Sequence, residues 1–267
     1  MYPILFEVLG FPIRSYGVLM ALGVILGVWI AKKWSDEERF KGHIQDFTLY
    51  AFLGGLIGAR IWEVAFTWDH YANDWLQVFA LWNGGLSVQG GLVGGVLAGV
   101  WFCKTRGIPV WKFADAVAPG VILGMALGRI GCLLTGDCYG IPTDTFWGIS
   151  YPPGTIAYQA YGSTPLYPTV GFEAFFDFVI LGILFMTKQK RCVDGFQFLL
   201  MTGLYSVQRF FLEFLRGDSL RTVFHLKTAQ VASVLTIVVV VGLLGYLKKR
   251  TKDSAGSSEH VTDPSLL

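Results

Sequence analysis

Hydrophobic residues run through this chain in long blocks, without the polar faces that soluble helices or strands show at their own periods. Seven blocks are long and apolar enough to cross a membrane as helices: 16–31, 46–66, 88–103, 113–134, 168–187, 195–215 and 228–247. The stretch 231–247 has no charged residue at all and cannot face water. The pattern therefore predicts an all-α, polytopic membrane protein with seven transmembrane helices.

Basic residues between the blocks predict the orientation of the spans, because lysine and arginine concentrate on the cytoplasmic side. They follow the first, third, fifth and seventh spans: Lys32, Lys33, Arg39, Lys41, Lys104, Arg106, Lys112, Lys188, Lys190, Arg191, Lys248, Lys249, Arg250 and Lys252. The segments 67–87 and 136–167 contain none. We therefore predict an extracytoplasmic N-terminus and a cytoplasmic C-terminus. Arg216, Arg221 and Lys227 break the rule on the outer side, which suggests a role for them.

The same reading predicts one integral membrane domain over 1–250, with an outer head segment at 136–167 and a polar, disordered cytoplasmic tail at 251–267. Residues 1–14 are apolar but contain two prolines, so we expect them to lie on the outer interface. We identify no cleaved signal peptide, since no basic segment or small-residue cleavage site accompanies the first span. Composition agrees with a membrane protein: of 267 residues, 53% are hydrophobic and 15% charged.

Three arginines inside the spans, Arg60, Arg129 and Arg209, lie at nearly one depth, about 9–10 Å from the outer helix ends at 1.5 Å per residue. A charge at mid-helix costs at least about 2.5–3.5 kcal/mol. One such arginine can simply snorkel or pair with a neighbour, but three at one level favour a polar chamber that opens outward.

The sixth span carries the most informative charges. Arg209, Glu213 and Arg216 are spaced i, i+4 and i+7, which places them on one face of a helix. One glutamate can neutralise one arginine, so surplus positive charge remains to attract an anion. The planar fork of arginine suits a phosphate, because it donates two hydrogen bonds at once. In the outer leaflet the most available phosphate is a phospholipid headgroup.

Glycines concentrate in spans two to four, where most of them allow close helix packing. The run GGLSVQGGL at 84–92 differs, because its paired glycines break the start of the third span. Backbone N–H groups at Gly90 and Gly91 would then be exposed beside the chamber.

Five motifs, in order along nearly the whole chain, resemble those of the bacterial prolipoprotein diacylglyceryl transferases. GRIGCLLTGDCYG at 128–140 is similar to the family signature, and Arg14-Ser-Tyr16-Gly17 resembles a motif before the first span. GGLSVQGGL resembles Gly-Gly-x-Ser-x-His-Gly-Gly-Leu, and YPTVGFE at 167–173 resembles His-Pro-x-Gln-Leu-Tyr-Glu. RFFLEFLR at 209–216 matches Arg-x-x-x-Glu-x-x-Arg at every fixed position.

The resemblance implies a multi-pass transferase of the bacterial inner membrane that performs the first step of lipoprotein maturation. Such enzymes move the diacylglyceryl group of phosphatidylglycerol onto the lipobox cysteine of a prolipoprotein, forming a thioether and releasing glycerol 1-phosphate. The implied partners are these two substrates and membrane lipids, with no nucleic acid. No cofactor or metal is implied, and the cysteines and histidines form no ligand cluster.

Carried over by position, Arg129 would bind the lipid phosphate and Arg209 would stabilise the departing phosphate. Tyr16 would line the pocket, and Glu213 with Arg216 would hold the helix face of Arg209 in register. The remaining expected substrate-binding residues are Gln89, Gly90, Gly91, Asp137 and Arg60.

The chain departs from the family where a base is expected. Gln89 replaces the histidine proposed to deprotonate the thiol, and glutamine cannot take a proton at neutral pH. Cys132, Thr135 and Asp137 replace other signature residues. Three explanations are open: Asp137 or Glu213 is the base, the arginines ionise the thiol through their field, or the chain is a divergent paralogue with altered chemistry. A disulfide between Cys132 and Cys138 is also open.

Two other classes of protein compete with the transferase. A transporter of small anions or lipids could use the same buried arginines, but it would need a polar path through the inner halves of the spans, which carry little charge apart from Asp115. A non-enzymatic lipid-binding or assembly protein is favoured only by the missing histidine.

Overall fold

The computed structural model describes residues 4–8, 11–72, 74–80, 84–190, 193–218 and 226–259. Two strands open the chain, β1 (Ile4–Val8) and β2 (Phe11–Arg14). The helices that follow are α1 (Ser15–Trp34), α2 (Glu38–Phe66), α3 (Trp68–Tyr71), α4 (Val88–Thr105), α5 (Val110–Thr135), α6 (Ile156–Tyr161), α7 (Thr169–Thr187), α8 (Phe196–Leu212) and α9 (Thr228–Glu259). Short 3₁₀ segments lie at Trp75–Phe79, Lys188–Lys190 and Glu213–Leu215.

Within these described residues, six helical segments are long and apolar enough to cross a membrane: Ser15–Trp34, Glu38–Phe66, Val110–Thr135, Thr169–Thr187, Phe196–Leu215 and Thr228–Arg250. Their outward faces are apolar, with Ile61, Leu235 and Val238 each more than 60% exposed. Such faces need a lipid environment, as a soluble protein rarely exposes so much contiguous apolar surface. The predicted third span forms helix α4, which is not one of these six because its glycines and polar ends lower its hydropathy. The count of seven spans stays a prediction. The mainly helical membrane architecture is confirmed.

The prediction of an all-α chain overlooked the hairpin of β1 and β2. The strands pair antiparallel, with Ile4 opposite Arg14 and Glu7 opposite Pro12. Proline cannot continue a helix, because it lacks the N–H and clashes with the preceding turn, yet it is tolerated on an edge strand. Pro12 is therefore compatible with this hairpin, whereas Pro3 lies outside the described residues.

The chain divides into two compact units, the first Met1–Ile30 with Val117–Leu267 and the second Ala31–Ala116. One membrane domain over 1–250 stays a prediction. In the second unit, α2 and α4 pack through glycine. A Cβ added at Gly58 would lie 2.5 Å from the carbonyl oxygen of Gly90 and 2.8 Å from the Cα of Gly94. Such close backbone approach is how small residues join helices in a membrane, where no hydrophobic effect drives association.

In the first unit, α5, α7 and α8 share an apolar core. It is formed by Ala118, Ile122, Ile180, Leu184 and Met201. α1 packs closely on α5, since a Cβ at Gly27 would lie 2.8 Å from the carbonyl oxygen of Gly120. Packing through this core also brings together the C-terminal ends of α5 and α8 and the N-terminal end of α7, where their charged residues lie.

The predicted outer head segment has a small core of its own, built from Tyr151, Ala157 and Leu166. Its backbone also pairs with the end of the sixth span: Ile141 N donates to Leu215 O (2.9 Å), and Gly217 N donates to Tyr139 O (3.1 Å). This pairing fixes the loop that follows α5 beside Arg216.

The C-terminal tail differs from the prediction in its first part. α9 continues as helix to Glu259, although we expected disorder from residue 251. Residues 260–267 lie outside the described residues. An uncapped polar extension of a long helix can keep helical geometry, because propagation is easier than nucleation.

Candidate active site

Glu173 on α7 is the centre of a buried charge cluster in the first unit. Its side chain is 1% exposed and contacts arginines from three places in the chain. Arg129 Nε lies 2.9 Å from Oε2, Arg216 Nη1 donates to Oε1 at 3.2 Å, and Arg209 Nη1 also donates to Oε1. The Arg129 contact is an ion pair without hydrogen-bond alignment. A single carboxylate thus holds three guanidinium groups together.

Two further acids complete the cluster. Arg209 Nη2 lies 3.1 Å from Glu213 Oε2, one helical turn on. Arg216 binds Asp218 with both arms, through Nε at 2.9 Å and Nη2 at 2.6 Å. Three arginines therefore face three carboxylates, and the surplus positive charge is smaller than the sequence suggested. Lys227 adds a further cation, its Nζ donating at 2.6 Å to the carbonyl oxygens of Glu213 and Arg216.

Arg209, Glu213 and Arg216 do not lie on one helical face as predicted, because the α-helix ends before Glu213. α8 ends at Leu212, and Arg216 has extended backbone at φ −79° and ψ 133°. Arg216 reaches the cluster because the chain turns there, and it contacts Glu173 and Asp218, while Glu213 contacts Arg209. Burial by itself lowers the pKa of Arg216, but hydrogen bonds to Asp218 and the charge of Glu173 outweigh burial and raise it. The group stays cationic.

Exposure divides the arginines of the cluster into two kinds. The side chains of Arg129 and Arg209 remain 22% and 19% exposed, whereas that of Arg216 is 8% exposed. Arg129 also donates from Nη2 to the hydroxyl of Tyr205 on α8 at 3.1 Å. An anion can reach Arg129 and Arg209 while Glu173 holds them from the buried side. These are the two arginines that the sequence predicted to bind and release phosphate.

Tyr16 and Asp137 lie beside the end of α5. Tyr16 is 40% exposed, and its ring packs against Gly131, where an added Cβ would be 3.1 Å from Cδ2. Asp137 is exposed and accepts a hydrogen bond from the Thr135 hydroxyl at 2.7 Å. Tyr16 is within electrostatic range of both Arg129 and Asp137. The tyrosine predicted to line the pocket thus lies near Arg129, the arginine predicted to bind the phosphate.

Arg60, in the second unit, has a different environment. It is 6% exposed and donates to backbone carbonyl oxygens around it. These belong to Val78 (2.8 Å), Gly84 and Gly85 (both 2.7 Å), Gln77 and Ala80. Its guanidinium also contacts the Tyr71 hydroxyl and lies over the Tyr71 ring. Through these contacts Arg60 organises the loop between α3 and α4.

A cavity of about 380 Å³ adjoins this loop, lined by Arg60, Glu63, Thr67, Tyr71, Gln77, Gly84 and Gly85. The other predicted binding residues of the second unit lie at the start of α4. Gln89 is exposed, and its amide oxygen accepts from the Ser87 hydroxyl at 2.9 Å. Gly90 is buried against Gly58 and Trp62 of α2, and Gly91 N donates to Ser87 O at 3.0 Å. Their role toward a substrate stays a prediction.

Sequence reasoning left three features of the first unit out of the predicted site. Glu173 is the last residue of the YPTVGFE motif and lies inside the predicted fifth span, and an acid inside a span was the available signal for its central role. Gln208 Nε2 donates to Asp177 Oδ1 at 2.6 Å, both side chains being buried. Cys132, near the end of α5, and Cys138, in the loop that follows it, are free thiols. No pattern of neighbouring residues in the sequence indicated the pairing of Gln208 with Asp177.

Comparison with known proteins agrees with the motifs. The family model described as prolipoprotein diacylglyceryl transferase matches residues 3–246. The chain is 32% identical over 254 residues to a phosphatidylglycerol–prolipoprotein diacylglyceryl transferase of Bacillus licheniformis, covering 94% of each chain. A protein of the same name from Acaryochloris marina is 34% identical over 256 residues, covering 93% of this chain and 92% of the relative. One from Clostridioides difficile is 35% identical over 250 residues, covering 93% and 96%.

Proposed function

The chain belongs to the prolipoprotein diacylglyceryl transferase family, and from that premise we propose that it transfers the diacylglyceryl group of phosphatidylglycerol to the lipobox cysteine of prolipoproteins. The reaction forms a thioether and releases glycerol 1-phosphate. The observation that supports the proposal most directly is the cluster in which Glu173 holds two partly exposed arginines side by side. No nucleic acid takes part.

The arginine pair suits the charge changes of this reaction. The substrate phosphate diester carries one negative charge, and a second develops on it as the carbon–oxygen bond breaks. Fixed cationic donors in a low-dielectric site stabilise such developing charge without having to reorganise. Arg129 would hold the phosphate of the bound lipid, and Arg209 would meet the charge of the leaving group. Glu173 and Glu213 would keep both guanidinium groups in place before lipid binds.

The remaining predicted residues of the first unit would surround this centre. Tyr16, beside Arg129, would line the lipid pocket, and Asp137 at the mouth of the loop would contact the polar headgroup. Arg216 would support the cluster from its buried side. In the second unit, Gln89, Gly90 and Gly91 remain predicted substrate-binding residues, and Arg60 would support them by holding the loop before α4.

The proposed topology places the cluster at the outer side of a bacterial inner membrane. Seven spans, with α4 as the third, would put the N-terminus outside and the C-terminus inside, which agrees with the basic residues noted above. Fusions of alkaline phosphatase and of green fluorescent protein after residue 250 test this arrangement. We expect fluorescence without phosphatase activity, and the opposite pattern would overturn the topology.

Complementation tests the activity itself. In cells depleted of their own diacylglyceryl transferase, expression of this chain should restore growth and thioether-linked lipoprotein, detected by mass spectrometry. An Arg129→Ala variant expressed to the same level serves as the control and should restore neither. Normal membrane insertion without lipidated product would favour the divergent paralogue or the anion transporter. Family membership does not favour either.

A further inference from the structure

The outer head segment, residues 136–167, buries its core but leaves one pair of aromatic side chains uncovered. Its exposed large apolar residues are Ile141, Phe146, Trp147 and Ile156. Phe146 is 84% exposed and Trp147 is 53% exposed. The two residues are adjacent in the chain, and their ring centroids lie 4.2 Å apart. They form the largest apolar feature on the surface of this segment.

Phe146 and Trp147 occupy the centre of a β-turn. Gly148 N donates to the carbonyl oxygen of Thr145 at 2.9 Å, which closes a four-residue turn around the two aromatics. The central positions of turns usually hold Gly, Pro, Asn, Asp or Ser, because these residues suit the backbone there. Two large aromatic side chains at such positions contribute little to the turn itself. Their contact therefore lies outside it.

The turn is fixed to the rest of the segment on both sides. Thr143 N donates to Pro165 O at 3.0 Å, and Ile149 exchanges two backbone hydrogen bonds with Leu166, at 3.0 and 2.9 Å. The buried Thr143 hydroxyl also accepts from Thr145 N at 3.2 Å. Leu166 belongs to the core of the segment. The aromatic pair is therefore held in place before it meets a partner, which lowers the entropic cost of binding.

Ring contacts connect the pair to α7, whose length indicates where the membrane begins. α7 has 19 residues, which span about 28 Å at 1.5 Å per residue, close to the roughly 30 Å of a bilayer hydrocarbon core. Its first turn therefore lies at the edge of the hydrocarbon. Trp147 packs edge-to-face on Phe172 in that turn, with ring centroids 6.2 Å apart. Phe175 and Phe176 continue the exposed aromatic surface along α7.

Charge and size favour lipid as the partner of this surface. The segment has two acids, Asp137 and Asp144, and no Lys, Arg or His, so anionic headgroups do not attract it electrostatically. Aromatic side chains nevertheless favour the boundary between headgroups and acyl chains. A specific protein interface needs about 800 Å² on each partner, which is more than the tip of one turn offers.

We propose that Phe146 and Trp147 form an interfacial anchor, which inserts among the phospholipid headgroups around the N-terminal end of α7 and holds the outer head segment against the bilayer. This interaction surface goes beyond the proposed activity. The backbone of the same segment pairs with Leu215 and Gly217, on either side of Arg216. Anchoring the segment therefore also steadies the loop beside the arginine cluster.

Fluorescence of Trp147 tests the insertion without an assay of activity. The full chain is reconstituted in vesicles of phosphatidylglycerol and phosphatidylcholine, and subtraction of the Trp147→Phe spectrum isolates the emission of this tryptophan. Lipids brominated near the headgroup end of the acyl chains should lower that emission about twofold, whereas aqueous iodide should not. High salt should change neither result, because screening weakens ionic contacts and not apolar ones.

A matched control moves the tryptophan within the segment. In the Trp147→Phe background, Gln159→Trp adds an indole at an exposed position of α6, which iodide should quench and brominated lipid should not. The inference is overturned if iodide quenches Trp147 and brominated lipid does not, or if brominated lipid quenches both positions equally. Protection of Trp147 that appears only when a lipobox peptide is added would also overturn it, because the surface would then bind peptide.

A charge at the tip provides a second test, and its kinetic part rests on the proposed function. Phe146→Asp should reduce quenching of Trp147 by brominated lipid and lower kcat/KM about fivefold in vesicles, because a carboxylate opposes insertion. In detergent micelles, which lack a bilayer surface, kcat/KM should match wild type. The unfolding temperature should be unchanged, since Phe146 is mostly exposed. Phe146→Tyr keeps an interfacial aromatic and should behave as wild type in both media.

The two readouts distinguish failure of this inference from failure of the proposed function. If wild type transfers no lipid in vesicles or micelles, the proposed function fails, while quenching of Trp147 still decides whether the tip inserts. An equal loss of kcat/KM by Phe146→Asp in vesicles and micelles, with quenching unaltered, would overturn the anchor.

Discussion

Arg129 and Arg60 lie at nearly the same depth when residues are counted along their predicted spans, yet their surroundings are chemically different. Arg129, in the first unit, faces the carboxylate of Glu173 and keeps 22% of its side chain exposed. Arg60, in the second unit, is 6% exposed and surrounded by carbonyl oxygens of one loop. The carboxylate holds the Arg129 guanidinium in place and leaves part of it exposed to bind an anion. The carbonyl oxygens around Arg60 instead occupy the N–H donors of its guanidinium. A buried arginine alone therefore does not identify a binding site.

The largest expected effect is at Arg129. Arg129→Ala should lower kcat/KM by about 10³-fold, since loss of one fixed donor to a developing oxyanion costs about 10²–10³ and lipid binding is lost as well. Arg129→Lys keeps the charge but loses the two-pronged geometry, and it should recover little. Assays with phosphatidylglycerol and a lipobox peptide provide the measurement. Full activity in Arg129→Ala would remove the central claim.

The second largest effect is expected at Glu173, because it holds the arginines in place but does not itself contact the lipid. Glu173→Gln keeps the shape but leaves three arginines with one carboxylate fewer, and breaking a buried pair costs about 3–5 kcal/mol. We expect a lower unfolding temperature in detergent together with a reduced kcat. Glu38→Gln, which breaks an exposed ion pair with Lys41, is the matched control and should change neither. A stable, fully active Glu173→Gln would show that the cluster is not organised by this carboxylate.

A substitution at Arg60 tests whether this arginine, unlike Arg129, acts on stability and not on substrate binding. Arg60→Lys retains a cation but cannot reach all of the surrounding carbonyls, and each one left unsatisfied costs about 1–3 kcal/mol. Thermal unfolding should therefore be the property that changes, while kcat/KM per folded molecule stays within about threefold of wild type. If stability is unaltered and the KM for phosphatidylglycerol rises strongly, Arg60 is a substrate-binding residue, as the sequence predicted.

The smallest effects are expected at Gln89, which is exposed at the start of α4. Gln89→His should keep or raise activity, because a histidine there can assist proton removal without being required. Gln89→Ala removes the hydrogen bond with Ser87 and should cost only a few-fold in kcat/KM. Complete loss in Gln89→Ala would instead make the glutamine a main substrate-positioning group.

Much of the fold could be predicted from sequence because it depends on local properties. Hydropathy blocks located the membrane helices, and the depth of Arg129 and Arg209 followed from counting residues along a helix of known rise. The i, i+4 spacing of Arg209 and Glu213 also predicted their ion pair correctly. The hairpin at 4–14 was missed because strand pairing depends on a partner segment rather than on the periodicity of one segment.

Within the candidate site, tertiary structure decided which charges meet. Glu173 lies 36 residues from Arg209 and 43 from Arg216, and only the packing of α5, α7 and α8 brings these side chains to one point. Likewise, the turn after α8 brings Arg216 beside Gly140 in the loop after α5, and the loop after α3 surrounds Arg60 with carbonyls. Sequence determined that this chain would bury arginines in a membrane, because the apolar character and length of a helix are set by its own residues. Their partners depend on how each helix is rotated against its neighbours, which is settled by side-chain packing between segments far apart in the chain.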